Sequence, residues 1–489
     1  MSGIPIQPFQ LMSSLKQIYL KSPWHKKLFF PKALGAALLA YHENQPETAK
    51  PVIDALYNTS RFFQRRFLLS LKIIQAFHTH QISPWVVDTL VNVAALPVGA
   101  NLVDLGWHGF GKEIGASLFK TFPPFPPGTT SYNYGHNDMT NKTEAEIAMV
   151  LRNLPQSITS VSLSTNSLHQ RTGAELATIF AALTPSVTSV DLSENWFGLK
   201  PADELVIAFN GLPPSVTSIN LTSMNMHNEK TSAELVRIIQ SLPPNLTSIN
   251  LGNCRLSPKN TGAELVNIFQ SLPRSLISIG LGANGLHANT GNELANAFAA
   301  LPQSLTLVDL SHNYLHGRTG AELATAFAGL PKSVRSVDLS KNMFYKNTGV
   351  ELATAFAGLP QSVTSLDLNN NGLDHLSLED LTALENALPH IKTLCLGCFE
   401  INKMTREQWR ALMKVFPGLE NEEENITYKD AENCKVPITS SYSWLRDRGV
   451  VPSLKITSAF FASEAIKEGK ISPQAVEQLP EAVTRYLQS

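Results

Sequence analysis

The feature that most constrains the fold of this chain is an internal repeat with a period of 28 to 30 residues. The clearest lines read PSVTSVDLSENWF at 185–197 and QSVTSLDLNNNGL at 361–373. One leucine marks the register, and it recurs at Leu163, Leu192, Leu221, Leu251, Leu281, Leu310, Leu339, Leu368 and Leu396. Degenerate lines extend this register backwards, which gives about eleven units over residues 97–400. Such a period predicts a solenoid in which each unit packs on its neighbours.

Each unit begins with a strand that has one buried face. In the line at 361–373, Val363, Leu366 and Leu368 alternate with polar residues, which is the period of a half-buried strand. An asparagine follows where the chain leaves the strand, and its amide can bond backbone groups that the turn leaves unpaired. This asparagine recurs at Asn166, Asn195, Asn284, Asn313, Asn342 and Asn371, and Met224 and Cys254 replace it in two units.

Most units continue with a helix that starts at a Thr-x-x-Glu capping box and ends before a proline, and one unit has Pro201 at the helix start instead. The boxes begin at Thr143, Thr172, Thr231, Thr261, Thr290, Thr319 and Thr348. A right-handed strand–helix–strand crossover repeated in this way predicts an α/β horseshoe, with a parallel inner sheet and outer helices. Because helices are wider than strands, which are about 4.8 Å apart, we expect the stack to curve.

Two further regions flank the repeats. Residues 1–96 indicate a helical N-terminal cap that shields the first unit. The stretch from Arg61 to Phe77 is basic and amphipathic, so weak contact with an anionic membrane is the alternative interpretation. Residues 401–489 predict a C-terminal cap and a mixed, mainly helical appendage, with a helix over 405–416 and a strand-like segment at 426–428.

The sequence offers no catalytic, cofactor or metal site, so we expect a protein without enzymatic activity. Four cysteines are too few for a disulfide framework, which favours a reducing compartment. Cys395 and Cys398 form a lone C-x-x-C without the second pair that zinc needs, and Cys434 has no histidine near it in sequence. The histidines mostly stand in turns, as loop residues rather than ligands. A net charge of −1 argues against nucleic-acid binding.

The wording of the repeat resembles that of a known family. The units follow the pattern LPxSVTSVDLSxNxLxxxTGAELATAFAGLP, which is similar to leucine-rich repeats of the ribonuclease-inhibitor-like subclass. More narrowly, they resemble the leucine-rich-repeat effectors that Legionella delivers into host cells by type IV secretion. The resemblance implies a virulence effector that binds a host protein in the host cytoplasm, and we expect it to act as a monomer. Two alternatives are an adaptor for host ubiquitin ligation and a regulator of a small GTPase.

We expect the partner to contact the loops that follow the strands. The outward strand positions carry small polar residues, which offer few anchors for a partner. Large side chains stand in the loops instead, and the predicted contacts are Trp196, Arg255, Tyr314, Phe344 and Tyr345. Basic residues, including Arg171 and Arg318, directly precede several capping threonines. Stacking would align them along one rim, either as a solvated edge or as a positive surface for an acidic partner.

Overall fold

The computed structural model describes residues 102–104, 128–224, 230–257, 261–419, 425–429 and 435–438. The chain forms two compact units. Unit 1 comprises residues 1–224 and 241–243, and unit 2 comprises residues 225–240 and 244–489. The predictions for residues 1–96, for the stretch from Arg61 to Phe77 and for Cys434 lie outside the described residues.

Unit 1 alternates short parallel strands with helices, as the repeat predicts. Its strands are β1 (Leu102–Asp104), β2 (Ser131–Asn133), β3 (Ser160–Ser162), β4 (Ser189–Asp191) and β5 (Ser218–Asn220). Its helices are α1 (Glu144–Arg152), α2 (Gly173–Phe180) and α3 (Ala202–Asn210), with 3-10 turns at Met139–Asn141, Leu168–Gln170 and Phe197–Leu199. Each strand pairs in parallel with the next one in sequence, in the register that the repeat sets.

Unit 2 continues the same alternation. Its strands are β6 (Ser248–Asn250), β7 (Ser278–Gly280), β8 (Leu307–Asp309), β9 (Ser336–Asp338), β10 (Ser365–Asp367), β11 (Thr393–Gly397), β12 (Ile426–Lys429) and β13 (Lys435–Pro437). Its helices are α4 (Ser232–Gln240), α5 (Gly262–Gln270), α6 (Gly291–Ala299), α7 (Gly320–Ala328), α8 (Gly349–Ala357), α9 (Leu378–Ala383), α10 (Cys398–Lys403) and α11 (Arg406–Val415). The 3-10 turns are Leu286–Ala288, Leu315–Gly317, Phe344–Lys346 and Leu373–His375. The predicted α/β solenoid of about eleven units is confirmed.

The parallel sheet of unit 2 extends past residue 400, where the predicted array ends. β12 pairs in parallel with β11, and β13 is antiparallel to β12. The Lys429 Nζ lies 2.8 Å from Asp367 Oδ2 and 3.5 Å from Asp338 Oδ2, so one ammonium group offsets two carboxylates on the sheet. The helix predicted over 405–416 and the strand at 426–428 are confirmed as α11 and β12. The boundary at residue 400 stays a prediction.

The core consists of the inward strand residues and one face of each helix. Val363, Leu366 and Leu368 are at most 2% exposed, as the alternation predicts. On α7, Leu323 and Phe327 are each 1% exposed. The apolar face of each helix therefore packs on the inward side chains of the sheet, and this burial is the main stabilising contribution.

The buried asparagines form a ladder that links successive units. Asn342 Oδ1 accepts a hydrogen bond from the Asn313 backbone N–H at 2.9 Å. Its Nδ2 donates to the carbonyls of Leu310 at 3.1 Å and Leu339 at 3.0 Å. The same amide-to-backbone bonding is found at Asn166, Asn195, Asn313 and Asn371. Each amide satisfies backbone groups that the turns would otherwise bury without partners.

Glu400 ends this ladder, in a unit that has Phe399 where most other units have the ladder asparagine. Its Oε1 accepts hydrogen bonds from the backbone N–H groups of Leu373, at 3.2 Å, and Gly372. Its Oε2 accepts from Asn370 and Gly397, each at 3.0 Å. Burial raises the pKa of Glu400 to about 7, although the N–H donors of the preceding turn act in the opposite direction.

The Thr-Gly-x-Glu start of five helices, α2 and α5 to α8, serves two purposes. The predicted boxes form: Thr319 Oγ1 accepts from the Glu322 N–H at 3.3 Å, and Glu322 Oε2 accepts from the Thr319 N–H at 3.1 Å. The glycine allows close packing, since a Cβ on Gly320 would lie 2.3 Å from the Glu351 carbonyl oxygen on the next helix. The motif therefore fixes both the start of a helix and its distance from its neighbour.

Candidate interaction surface

The loops that leave the strands place one residue in the left-handed backbone conformation just before the 3-10 turn. Gly285 and Gly372, with φ of 68° and 72°, are the unstrained residues for this position. Other units have different residues there: Asp138 at 48°, Ser167 at 56°, Tyr314 at 56°, Trp196 at 60° and Met343 at 61°. This conformation costs a non-glycine residue about 1 kcal/mol, and small, polar and large side chains all adopt it, so it is a property of the turn in each repeat.

In unit 1 the exposed residue at this position is Trp196. Its side chain is 51% exposed, and its ring stacks on His169 with centroids 5.7 Å apart and planes 22° apart. Partial burial holds the pKa of His169 below its usual value, and the nearby Lys200 acts in the same direction. The His169 ring therefore supports the indole as a neutral base at physiological pH. Leu199 and Glu194 are exposed on the same loop.

In unit 2 the exposed aromatic residue at this position is Tyr314, which is 42% exposed and contacts three histidines. The ring centroids of His287, His312 and His316 lie 5.5, 5.3 and 6.4 Å from that of Tyr314, all near edge-on. Nδ1 of His287 and Nδ1 of His316 each lie 3.1 Å from a backbone carbonyl oxygen. The two imidazoles are anchored in this way, so the phenol is held in a defined orientation.

The next loop of unit 2 presents Tyr345, which is 38% exposed. Its ring centroid lies 5.6 Å from that of His375, and the Lys346 Nζ lies 5.9 Å from the ring. The name aromatic edge is used for three side chains, Trp196 on unit 1 and Tyr314 and Tyr345 on unit 2, each of which is exposed on its own unit. They are large, amphipathic and partly exposed, which are the properties of side chains that dominate protein interfaces.

The comparisons with known proteins agree with this architecture. The chain is similar to the leucine-rich repeat-containing protein LegL7 from Legionella pneumophila, with 32% identity and a TM-score of 0.57, over 66% of this chain and 100% of that one. The chain belongs to the leucine-rich-repeat family. A leucine-rich-repeat fold is a protein-interaction module, because its stacked units form an extended surface.

One other solved structure shows weaker similarity. The structure of the Rad7 and Elc1 complex in yeast aligns with a TM-score of 0.37 and 13% identity, over 81% of this chain and 94% of that one. This similarity is too low to carry an argument. No protein-family model and no curated protein matches the chain.

Among the predicted contact residues, Phe344 is in the wrong place for a partner. Its side chain is fully buried, and its ring packs edge-on against Phe356 at 5.8 Å. In the leucine-rich-repeat register, Phe344 stands where Leu315 stands one unit earlier, so it is a core residue. Trp196, Tyr314, Tyr345 and Arg255 are exposed, as expected. Their contact with a partner stays a prediction.

The expectation of a continuous exposed basic rim is also wrong. The Arg171 side chain is 10% exposed, and its guanidinium donates to the carbonyl of Met139 at 2.6 Å and to that of Lys142. Lys200 is likewise buried and bonds the carbonyl of Arg171. Arg318 pairs with Glu322 at 3.1 Å and is partly exposed. Arg171 and Lys200 therefore satisfy carbonyl groups of the preceding leucine-rich repeat.

The histidine contacts were not foreseen from the sequence. His169, His287 and His316 all stand second in a 3-10 turn, and the last two are one leucine-rich repeat apart. That common position would have distinguished them from ordinary loop residues. At this position, the His169 and His287 rings contact an aromatic side chain of the following unit, and the His316 ring contacts Tyr314 of its own loop.

The described residues contain few groups of catalytic character. Cys395 is buried on β11, and burial raises the pKa of its thiol to about 12, so it is not a nucleophile at neutral pH. Within the same residues, no cluster of three or more His, Cys, Asp or Glu side chains could hold a metal ion. No helix in this part of the chain is both long and apolar enough to cross a membrane.

Proposed function

We propose that this leucine-rich-repeat protein is a non-catalytic module that binds a partner protein through the aromatic edge. The observation that carries the proposal is the exposure of Trp196 and Tyr314, at 51% and 42%, at a loop position where Gly285 and Gly372 serve other units. Large, partly exposed aromatic side chains are the residues that most often dominate protein interfaces. The histidines that contact these rings add to this, because they limit the motion that binding would otherwise have to restrict.

The finer proposal is that the partner is a host protein and that the chain is a bacterial effector delivered by type IV secretion. It is supported by the 32% identity with LegL7 from Legionella pneumophila. A reporter enzyme fused to the full chain tests this. We expect the reporter to enter host cells only when the type IV system is intact, and a reporter that stays in the bacteria would contradict delivery.

Capture from host-cell lysate tests the binding role. The edge variant combines Trp196→Gly, Tyr314→Gly and Tyr345→Ala. Glycine suits the first two positions because Gly285 and Gly372 already occupy it in the same fold. A control variant removes the exposed helix side chains of Ile207, Val350 and Leu378, which are 48%, 67% and 49% exposed.

We expect the natural chain and the control variant to capture the same protein, and the edge variant to lose it. Equal capture by all three would overturn the aromatic edge as the binding site. The identity of the captured protein also tests the alternatives, because ligase subunits would favour a ubiquitin adaptor and a small GTPase would favour a GTPase regulator.

A further inference from the structure

The unit 2 part of the aromatic edge has an excess of positive charge. The loops between β7 and α6, β8 and α7, β9 and α8, and β10 and α9 contain three basic residues, Arg318, Lys341 and Lys346, and one acidic residue, Asp374. Arg318 is paired with Glu322, and the Asp374 side chain is 7% exposed. Lys341 and Lys346 are exposed, and within the described residues no carboxylate lies within 4 Å of either ammonium group.

Hydrogen-bond donors stand beside the aromatic rings on the same edge. The His312 Nε2 lies 3.3 Å from the Tyr314 hydroxyl. The Lys346 ammonium lies 5.9 Å from the centre of the Tyr345 ring. Lysine, imidazole and phenol groups can each donate to a carboxylate, and the ring faces can contact the apolar residues next to it.

We propose that this part of the edge binds an acidic segment of the partner protein, in which Asp or Glu side chains alternate with apolar ones. The inference rests on the proposed function and adds the chemistry of the partner. Lys341 and Lys346 pair with the carboxylates, and Tyr314 and Tyr345 contact the apolar residues. Complementary charge of this kind raises the association rate and selects against basic partners.

The corresponding loop of unit 1 has the opposite character. Glu194 is exposed two residues before Trp196, and its Oε2 accepts from Thr165 Oγ1 at 3.4 Å. A carboxylate beside the indole would repel an acidic segment. The proposal therefore concerns unit 2 alone.

Selection of random twelve-residue peptides displayed on phage, with the full-length chain as bait, tests the proposal. We expect the selected peptides to be enriched in Asp and Glu and to bind with a Kd of about 100 µM or tighter. In fluorescence anisotropy, their affinity should fall at least about fivefold between 50 and 300 mM NaCl, because charge pairs at an exposed surface are screened.

Matched variants distinguish the edge from general attraction. Lys341→Glu with Lys346→Glu should weaken binding at least about tenfold. Lys332→Glu with Lys392→Glu makes the same charge change at exposed positions before β9 and β11, and should change the affinity less than about twofold.

Three results would overturn the inference. The first is selected peptides without acidic enrichment, and the second is no binder at all. The third is acidic peptides that bind the Lys341/Lys346 variant as tightly as the Lys332/Lys392 control variant. If the selected peptides lacked acidic residues but no longer bound Tyr314→Gly, the proposed function would stand and only the proposal of an acidic partner segment would fail. Peptides that bind independently of Tyr314, Tyr345 and both lysines would count against the proposed function as well.

Discussion

The Glu400 Oε1 accepts a hydrogen bond from the Leu373 backbone N–H at 3.2 Å. One and two units earlier in the array, asparagine supplies the acceptor, as when Asn342 Oδ1 accepts from the Leu315 N–H at 3.3 Å. A carboxylate thus replaces the amide where the repeat sequence decays. It ends the ladder with backbone donors on both oxygens, and places an ionisable group inside a hydrogen-bond network that is otherwise neutral.

Glu400→Gln should remove a pH dependence of stability. A pKa of about 7 in the folded chain, against about 4.5 when unfolded, favours the protonated folded state. The stabilisation is complete below pH 4.5 and is lost as pH rises through 7. Urea unfolding should show the natural chain losing about 2 kcal/mol relative to the variant between pH 5 and pH 8. If the free energy of unfolding of the natural chain, relative to that of the variant, stayed constant or rose with pH, the N–H donors would be keeping the carboxylate ionised.

Asn313→Ala should destabilise the fold strongly. The change removes the acceptor for the Asn284 N–H at 2.9 Å and the donor to the carbonyls of Leu281 and Leu310, both at 3.0 Å. Buried backbone groups left without partners should reduce the free energy of unfolding by about 3 kcal/mol, as measured in urea. Asn313→Cys should lose less, because Cys254 occupies this position naturally.

The matched control for the ladder is Asn296→Ala, at an exposed position on α6. It should change the free energy of unfolding by less than about 0.5 kcal/mol. Equal losses for Asn313→Ala and Asn296→Ala would contradict the structural role of the ladder.

Gly320→Ala should destabilise the chain although alanine favours helices. The added Cβ would lie 2.3 Å from the Glu351 carbonyl oxygen, so two helices would have to separate. We expect a loss of about 1–3 kcal/mol in the free energy of unfolding. Gly317→Ala, three residues away, meets no atom closer than 3.9 Å and should be nearly neutral. Similar effects of the two substitutions would show that helix spacing does not depend on the glycine.

Phe344→Ala and Tyr345→Ala test the corrected assignment of neighbouring aromatic residues. Phe344 is fully buried, whereas Tyr345 is 38% exposed. Removal of the buried ring should lower the free energy of unfolding by about 3–5 kcal/mol, and removal of the exposed one by less than about 1 kcal/mol. Thermal unfolding of both variants checks this, and the reverse order would contradict the packing described for this loop.

The fold could be predicted from the sequence because the leucine spacing, the strand alternation and the helix capping boxes all indicate the same repeat. The leucine spacing sets the strand register, and Thr319 with Glu322 starts a helix where the box predicts it. Each unit repeats the same short-range rules, so a single correct unit predicts the rest of the array. The composition of residues 426–428 also predicts strand β12, which follows the last recognisable repeat.

The surface was less predictable, because it depends on contacts between units. Phe344 was assigned to a loop by its chain position, although alignment with Leu286 and Leu315 places it in a buried column. Arg171 and Lys200 look like surface cations until the carbonyl groups beneath them are known. Residues separated by a whole repeat come together in these contacts, and local sequence patterns do not report them.

The most direct test of the central claim is calorimetric titration of the captured partner into the natural chain, the edge variant and the helix-face control. We predict that the edge variant binds at least about 30-fold more weakly, which corresponds to a loss of about 2 kcal/mol. The control should bind as the natural chain does. Equal affinity for all three chains would contradict the claim that partner binding depends on Trp196, Tyr314 and Tyr345.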